Sequence, residues 1–134
     1  MKITTRYIED ELFEGTNVNG NTARQDMRPP DKKIGLSPVE TLLSSLASCM
    51  AVEIVAIIKK KRKEFKDLII EVEGTRRDTN PKSVTHIHMN IILISPDTDP
   101  NTLDKTVKLV LESYCSVSKS LTAQIDYSVE VKAN

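Results

Sequence analysis

The chain has 134 residues, 19 of them basic and 19 acidic, for a formal net charge of zero. This length fits a single domain, 1–134, that can bury a core without covalent staples. The charge balance argues against nucleic acid as the main partner, because phosphate binding wants a basic excess. Two cysteines are too few for a disulfide-rich scaffold.

The N-terminus, Met1-Lys2-Ile3-Thr4-Thr5-Arg6, has no apolar core of a signal peptide. The most apolar stretch is interrupted by Glu40 and Glu53, so no membrane span is expected. A cytoplasmic location is the default expectation, and there thiols rest reduced and a disulfide is transient and catalytic.

In chain order, residues 2–9 and 11–18 read as polar strands with a turn near Asp10, and 22–27 as a third strand after Gly20. Arg28-Pro29-Pro30-Asp31-Lys32-Lys33 breaks regular structure, since prolines remove donors and disfavour the helical region before them. Ser37 then suits a helix N-cap, Pro38 its first position, and Glu40 completes a capping box. Leu42, Leu43, Leu46, Cys49, Met50, Ile54, Ile57 and Ile58, with Ala47, Ala51 and Ala56 between them, make this helix apolar on most sides. That is the buried central helix of a domain or of a dimer. It runs out in Lys59-Lys60-Lys61-Arg62-Lys63, cations that complement a helix C-terminus.

Residues 68–77 and 85–95 read as strands about a turn at Asn80-Pro81. In the second, Ile87, Met89, Ile91 and Leu93 alternate with His86, His88 and Asn90. After a loop from Pro96 to Pro100, Asn101 or Thr102 caps a helix with the face Leu103, Val107, Val110 and Tyr114. Residues 124–132 form a last strand, with Ile125, Tyr127, Val129 and Val131 on one face. The order predicts an α+β fold with helices on a mainly antiparallel sheet.

The chemistry-bearing residues are few. Cys49 lies about three turns into its helix, beyond the reach of the N-terminal dipole that lowers thiol pKa values. A reactive thiolate there needs a cation from elsewhere, and Glu53, one turn on, works against it. Arg28, with Arg24 in reserve, precedes the helix and could supply that cation. Glu40 is the natural carboxylate to aim the arginine, alongside its capping role. Cys115 follows the second helix, where the chain must turn. His86 and His88 share one side of a strand, half a metal site with no further ligand at recognisable spacing, so no metal is expected. Phosphate-loop, dinucleotide and zinc-protease motifs are absent, as is a serine elbow, so no cofactor is expected.

Two segments carry a resemblance: Ser37-Pro38-x-Glu40-x-Leu42-Leu43 leading to Leu46-Ala47-Ser48-Cys49, and Tyr114-Cys115-Ser116-Val117-Ser118 followed by Leu121. Together they resemble the family of osmotically inducible protein C and organic hydroperoxide resistance protein, in its OsmC-like branch. In the hydroperoxide-resistance branch a glutamate directly follows the proline, whereas here Val39 does and Glu40 comes one later. The resemblance implies antiparallel sheets packed on a long buried helix, in an intertwined homodimer. It also implies a thiol peroxidase acting on organic hydroperoxides or hydrogen peroxide. Cys49 would be the peroxidatic thiol and Cys115 the resolving thiol. Arg28 would orient the thiolate and peroxide, Glu40 would orient the arginine, and an external dithiol would reduce the Cys49–Cys115 disulfide. The alternative is a non-catalytic dimeric protein of the same fold that binds a small ligand.

Overall fold

The computed structural model describes residues 1–134. It falls into two compact units, Met1–Leu42 and Leu43–Asn134.

The first unit is an antiparallel meander of β1 (Ile3–Glu9), β2 (Leu12–Asn17) and β3 (Thr22–Asp26). An irregularity between Tyr7 and Glu9 and a left-handed Asp10 (φ 50°) reverse the chain into β2. The next turn is tied by Asn17, whose Oδ1 accepts from the amides of Asn19 and Asn21. Gly20 takes the positive φ (87°) this turn demands. After β3 the proline-broken segment folds over the carboxylate of Asp26. Arg28 Nε (3.0 Å) and Nη2 (2.8 Å) and the amides of Arg28 (3.0 Å), Ile34 (2.8 Å) and Gly35 (3.2 Å) donate to it. Asp26 returns the favour through its own amide, which donates to the carbonyl of Leu36 (2.8 Å).

Helix α1 (Pro38–Lys60) begins as the sequence predicts. The Ser37 amide donates to Glu40 Oε1 (2.9 Å) and the Glu40 amide donates to Ser37 Oγ (3.2 Å), a complete capping box. By length and composition α1 is apolar enough to cross a membrane. The expectation that no segment is so apolar leaned on Glu40 and Glu53, and Glu40 lies in the first turn, leaving Glu53 as the lone charge in the helix interior. In the fold, the stripe Leu46, Met50, Ile54 and Ile58 is fully buried, the behaviour of a core helix. Val52, on the opposite side, is 65% exposed. The helix stops at a left-handed Arg62 (φ 60°), whose amide donates to Lys59 O while that of Lys63 donates to Ile58 O.

The second unit continues with β4 (Asp67–Arg76), β5 (Val84–Ile94), α2 (Pro100–Ser113), α3 (Ser116–Lys119) and β6 (Gln124–Lys132). Its core joins the buried stripe of α1 to Ile87, Met89, Ile91 and Leu93 of β5 and to Leu103, Val107 and Val110 of α2. The alternation in residues 85–95 therefore puts the predicted residues inside and the histidines on the other face. β4 and β5 pair antiparallel, but β5 and β6 pair parallel, from His86↔Gln124 to Ile94↔Lys132. The pairing is thus mainly antiparallel, as the element order predicts, with β5–β6 as the one parallel pair. A strand, a helical crossover and a strand in one sheet impose it, because a long connection returns the chain to the starting edge. The N-cap of α2 is corrected: it is Asp99, with Pro100 at the first helical position, and Asp99 Oδ1 accepts from the Thr102 amide (2.6 Å).

Candidate active site at the junction of two helices

Helix α2 ends where α3 starts. The amides of Tyr114 (3.0 Å) and Cys115 (2.8 Å) both donate to Val110 O, closing α2. Cys115 is at once the N-cap of α3, with extended backbone (φ −76°, ψ 103°). Its Sγ accepts from the Ser118 amide (3.4 Å), and Ser118 Oγ donates to Cys115 O (3.0 Å). The Cys115 side chain is fully buried.

This abrupt restart delivers the first turn of α3 to Cys49. Cys49 is half-buried on α1, and its Sγ lies 3.7 Å from Ser116 Oγ. Its thiol pKa is lowered, first by the Val117 amide, then by the Ser116 hydroxyl, by the thiol of Cys115 and by the Ser116 amide, against the opposing effect of burial. Cys115 thus has the Ser118 amide as a donor to its sulfur, and its side chain is among the groups that lower the Cys49 pKa. Both thiols are free, and the Cys115 side chain bears on the Cys49 thiol from more than sixty residues away in sequence. The groups that lower the Cys49 pKa in this unit are two amides, a hydroxyl and a thiol rather than a cation. Sequence reasoning missed Ser116 and Val117 in that role, since it credited only the dipole of the helix that carries Cys49. The signal available was Tyr114-Cys115-Ser116-Val117-Ser118, where polar residues right after an amphipathic helix mark a new helix start.

The other singled-out residues have defined partners in their own neighbourhoods. Arg28 is held in a bidentate pair by Asp26, with only 11% of the arginine side chain exposed. Asp26, two residues before it, is the carboxylate that aims this arginine, while Glu40, expected in that role, bonds Ser37 and pairs with Lys33 (3.6 Å). The pairing pulls the Asp26 carboxyl far below the usual carboxylate range and raises the Arg28 guanidinium. Arg24 pairs with Glu14 (3.0 Å) and is half exposed. His86 and His88 both bond Asp126, which faces His88 in the parallel ladder. No three His, Cys, Asp or Glu side chains are grouped to hold a metal ion.

A family model described as OsmC-like protein matches residues 30–130. The chain belongs to the OsmC-like family. Protein YhfA of Escherichia coli K12 is 30% identical to it over 99% of both chains. Among solved structures, a hypothetical protein of Aquifex aeolicus VF5 is 30% identical, with a TM-score of 0.85 over 98% of this chain and 95% of that one. The organic hydroperoxide resistance protein OhrB of Bacillus subtilis, 16% identical, shares the fold with a TM-score of 0.63 over 98% of both chains. The OsmC-like fold thus extends across relatives that include hydroperoxide-resistance proteins and others whose names state no activity.

Proposed function

We propose that this OsmC-like protein is a thiol peroxidase that reduces organic hydroperoxides or hydrogen peroxide. The observation that carries this reading is the meeting of a thiol of lowered pKa, Cys49, with a second free thiol, Cys115, at the first turn of α3. The Cys49 thiolate attacks the distal peroxide oxygen. The O–O bond breaks, the sulfur is oxidised to a sulfenic acid, and the alkoxide leaves and takes a proton. Cys115 then attacks the sulfenic sulfur, a disulfide forms and water departs; an external dithiol returns both sulfurs to thiols and is itself oxidised. Arg28, pre-aimed by Asp26, is the residue proposed to orient thiolate and peroxide. The working unit in this proposal is a cytoplasmic homodimer, for which the apolar, exposed side of α1 around Val52 is suited.

The test adds one equivalent of cumene hydroperoxide to reduced protein and maps disulfides by mass spectrometry. A Cys49–Cys115 disulfide is expected, and Cys49→Ser should drop peroxide consumption to the buffer background. Absence of the disulfide together with unchanged consumption in Cys49→Ser overturns the reading.

A second reading, a dimeric protein of the same family that binds a small ligand without turnover, is favoured by Glu53. It shares the Cys49 face one turn on, where a carboxylate opposes thiolate formation. Thiolate absorbance separates the two readings. A Cys49 pKa clearly below the ordinary thiol value of about 8.5 supports the peroxidase, and one at or above it supports the binder.

A further inference from the structure

The face of the β4–β5–β6 sheet turned away from the core carries a chain of polar side chains that the thiol chemistry leaves unused. Alternation puts His86, His88 and Asn90 of β5 on it, with Asp126 and Ser128 of β6 beside them. The parallel register sets Asp126 next to His88 and Ser128 next to Asn90. Asp126 Oδ1 bonds His88 Nδ1, and its Oδ2 lies 2.7 Å from His86 Nε2, so both carboxylate oxygens are held by imidazoles. At the other end of its ring, His88 Nε2 lies 3.2 Å from Ser128 Oγ. Ser128 Oγ donates in turn to Asn90 Oδ1 (3.1 Å).

Carboxylate, imidazole and hydroxyl thus stand in the order that activates a serine. With Asp126 keeping the ring proton on Nδ1, a neutral His88 offers the lone pair of Nε2, and Ser128 has one proton to give. That proton turns from Asn90 to Nε2, the arrangement of nucleophile, base and orienting group that is recognised by geometry rather than by chain order. Asn90, turned end for end, offers amide N–H groups to an oxyanion formed beside Ser128. No wall encloses the three, since the side chains of His88 and Asp126 are 42% and 52% exposed. On β4, Glu73 pairs with His88 and Glu71 with Asn90, and both are exposed. These carboxylates, with Glu130 beyond Ser128 on β6, repel an anionic substrate.

We propose that Ser128, His88 and Asp126 form a second catalytic site, independent of the thiols, that hydrolyses small uncharged or cationic carboxylic esters. Ser128 Oγ attacks the ester carbonyl carbon while its proton passes to His88 Nε2. The bond to the alcohol oxygen breaks, His88 returns the proton to that oxygen, and the acyl group stays on Ser128. Water then gives a proton to Nε2 and adds to the acyl carbon. The carboxylic acid leaves, and Ser128 regains its proton from His88. Asp126 holds the imidazole in the tautomer that makes this possible, and His86 fixes the second carboxylate oxygen.

Two measurements on the full chain test this. The first treats the protein with diisopropyl fluorophosphate and maps the adducts by mass spectrometry. Ser128 should label at least about tenfold faster than Ser83, an exposed serine in the turn between β4 and β5. His88→Gln should slow the Ser128 label by about a hundredfold, the low end of what a general base supplies. Asp126→Asn should slow it by about tenfold or more, with Ser83 unaffected. The second measures initial rates with 4-nitrophenyl acetate and with the anionic hemisuccinate of 4-nitrophenol. The difference between the parent and Ser128→Ala isolates the serine, because acylation of the thiols is common to both. That difference should be at least about threefold larger for the acetate, and the preference should shrink in Glu71→Gln/Glu73→Gln. Ser128 labelling no faster than Ser83, labelling that survives His88→Gln, or hydrolysis unchanged by Ser128→Ala overturns the site. Equal serine-dependent rates for the two esters overturn its charge selection. Peroxide consumption enters none of these readouts, so this site and the peroxidase reading stand or fall separately.

Discussion

Asp26 and Asp126 each bind basic partners through both carboxylate oxygens, one in the Met1–Leu42 unit and the other on the polar face of the β4–β5–β6 sheet. Asp26 is fully buried and accepts five hydrogen bonds, two from one edge of the Arg28 guanidinium and three from the amides of Arg28, Ile34 and Gly35. Asp126 is 52% exposed, and its histidines are 39% and 42% exposed. Water can replace every bond Asp126 makes, and no bond that Asp26 makes. The difference teaches that the same side chain organises the fold in one place and only decorates it in the other. A buried carboxylate persists only when its lone pairs are filled, and filling them fixes the loop and the arginine with it.

The sharpest way to break this comparison is truncation. Asp26→Ala strands Arg28 and two loop amides and should lower Tm by roughly 10 °C or more. Thermal unfolding followed by circular dichroism measures it, and a loss under about 3 °C would make the two aspartates equivalent. The next effect is on acid stability. Both carboxyls are held below their usual range, Asp26 first by the Arg28 side chain and Asp126 first by His88. A group with a depressed folded pKa stabilises above its unfolded value, near 4, and loses that contribution as pH falls toward the folded value. Asp26→Asn should therefore flatten the fall of Tm between about pH 5 and 3, whereas Asp126→Asn, discounted by solvent screening, should barely alter it. The smallest effect is expected for Asp126→Ala near neutral pH, a Tm change of about 3 °C or less that shrinks further in 1 M salt. A larger, salt-resistant loss would mean that Asp126 is buried in the working assembly.

Legibility in the sequence followed the range of the interactions. The start of α1 was readable because Ser37, Pro38 and Glu40 act on one another within a turn. So was the core face of β5, because its alternation is a local pattern. The parallel pairing of β6 was implied by the helix between the strands but not by any residue in them. Asp26 looked like an unremarkable strand end, since its meaning lies in amides eight and nine residues away. The α3 amides were invisible as partners of Cys49, because they become so only when two helices distant in sequence are packed together. The residue types of the site could thus be picked out early, and their electrostatic neighbours could not.

The crossover between β5 and β6 bears on how the site comes into being. β4 and β5 are neighbours in sequence and can zip as a hairpin, whereas β6 must wait until α2 and α3 have spanned the distance back. Cys115 and Ser116 ride on that returning stretch, and Cys49 on a helix made long before it. During synthesis the Cys49 thiol therefore leaves the ribosome without the amides that lower its pKa or the second sulfur beside it. The surroundings that lower its pKa are assembled only once α2 and α3 have folded back onto α1.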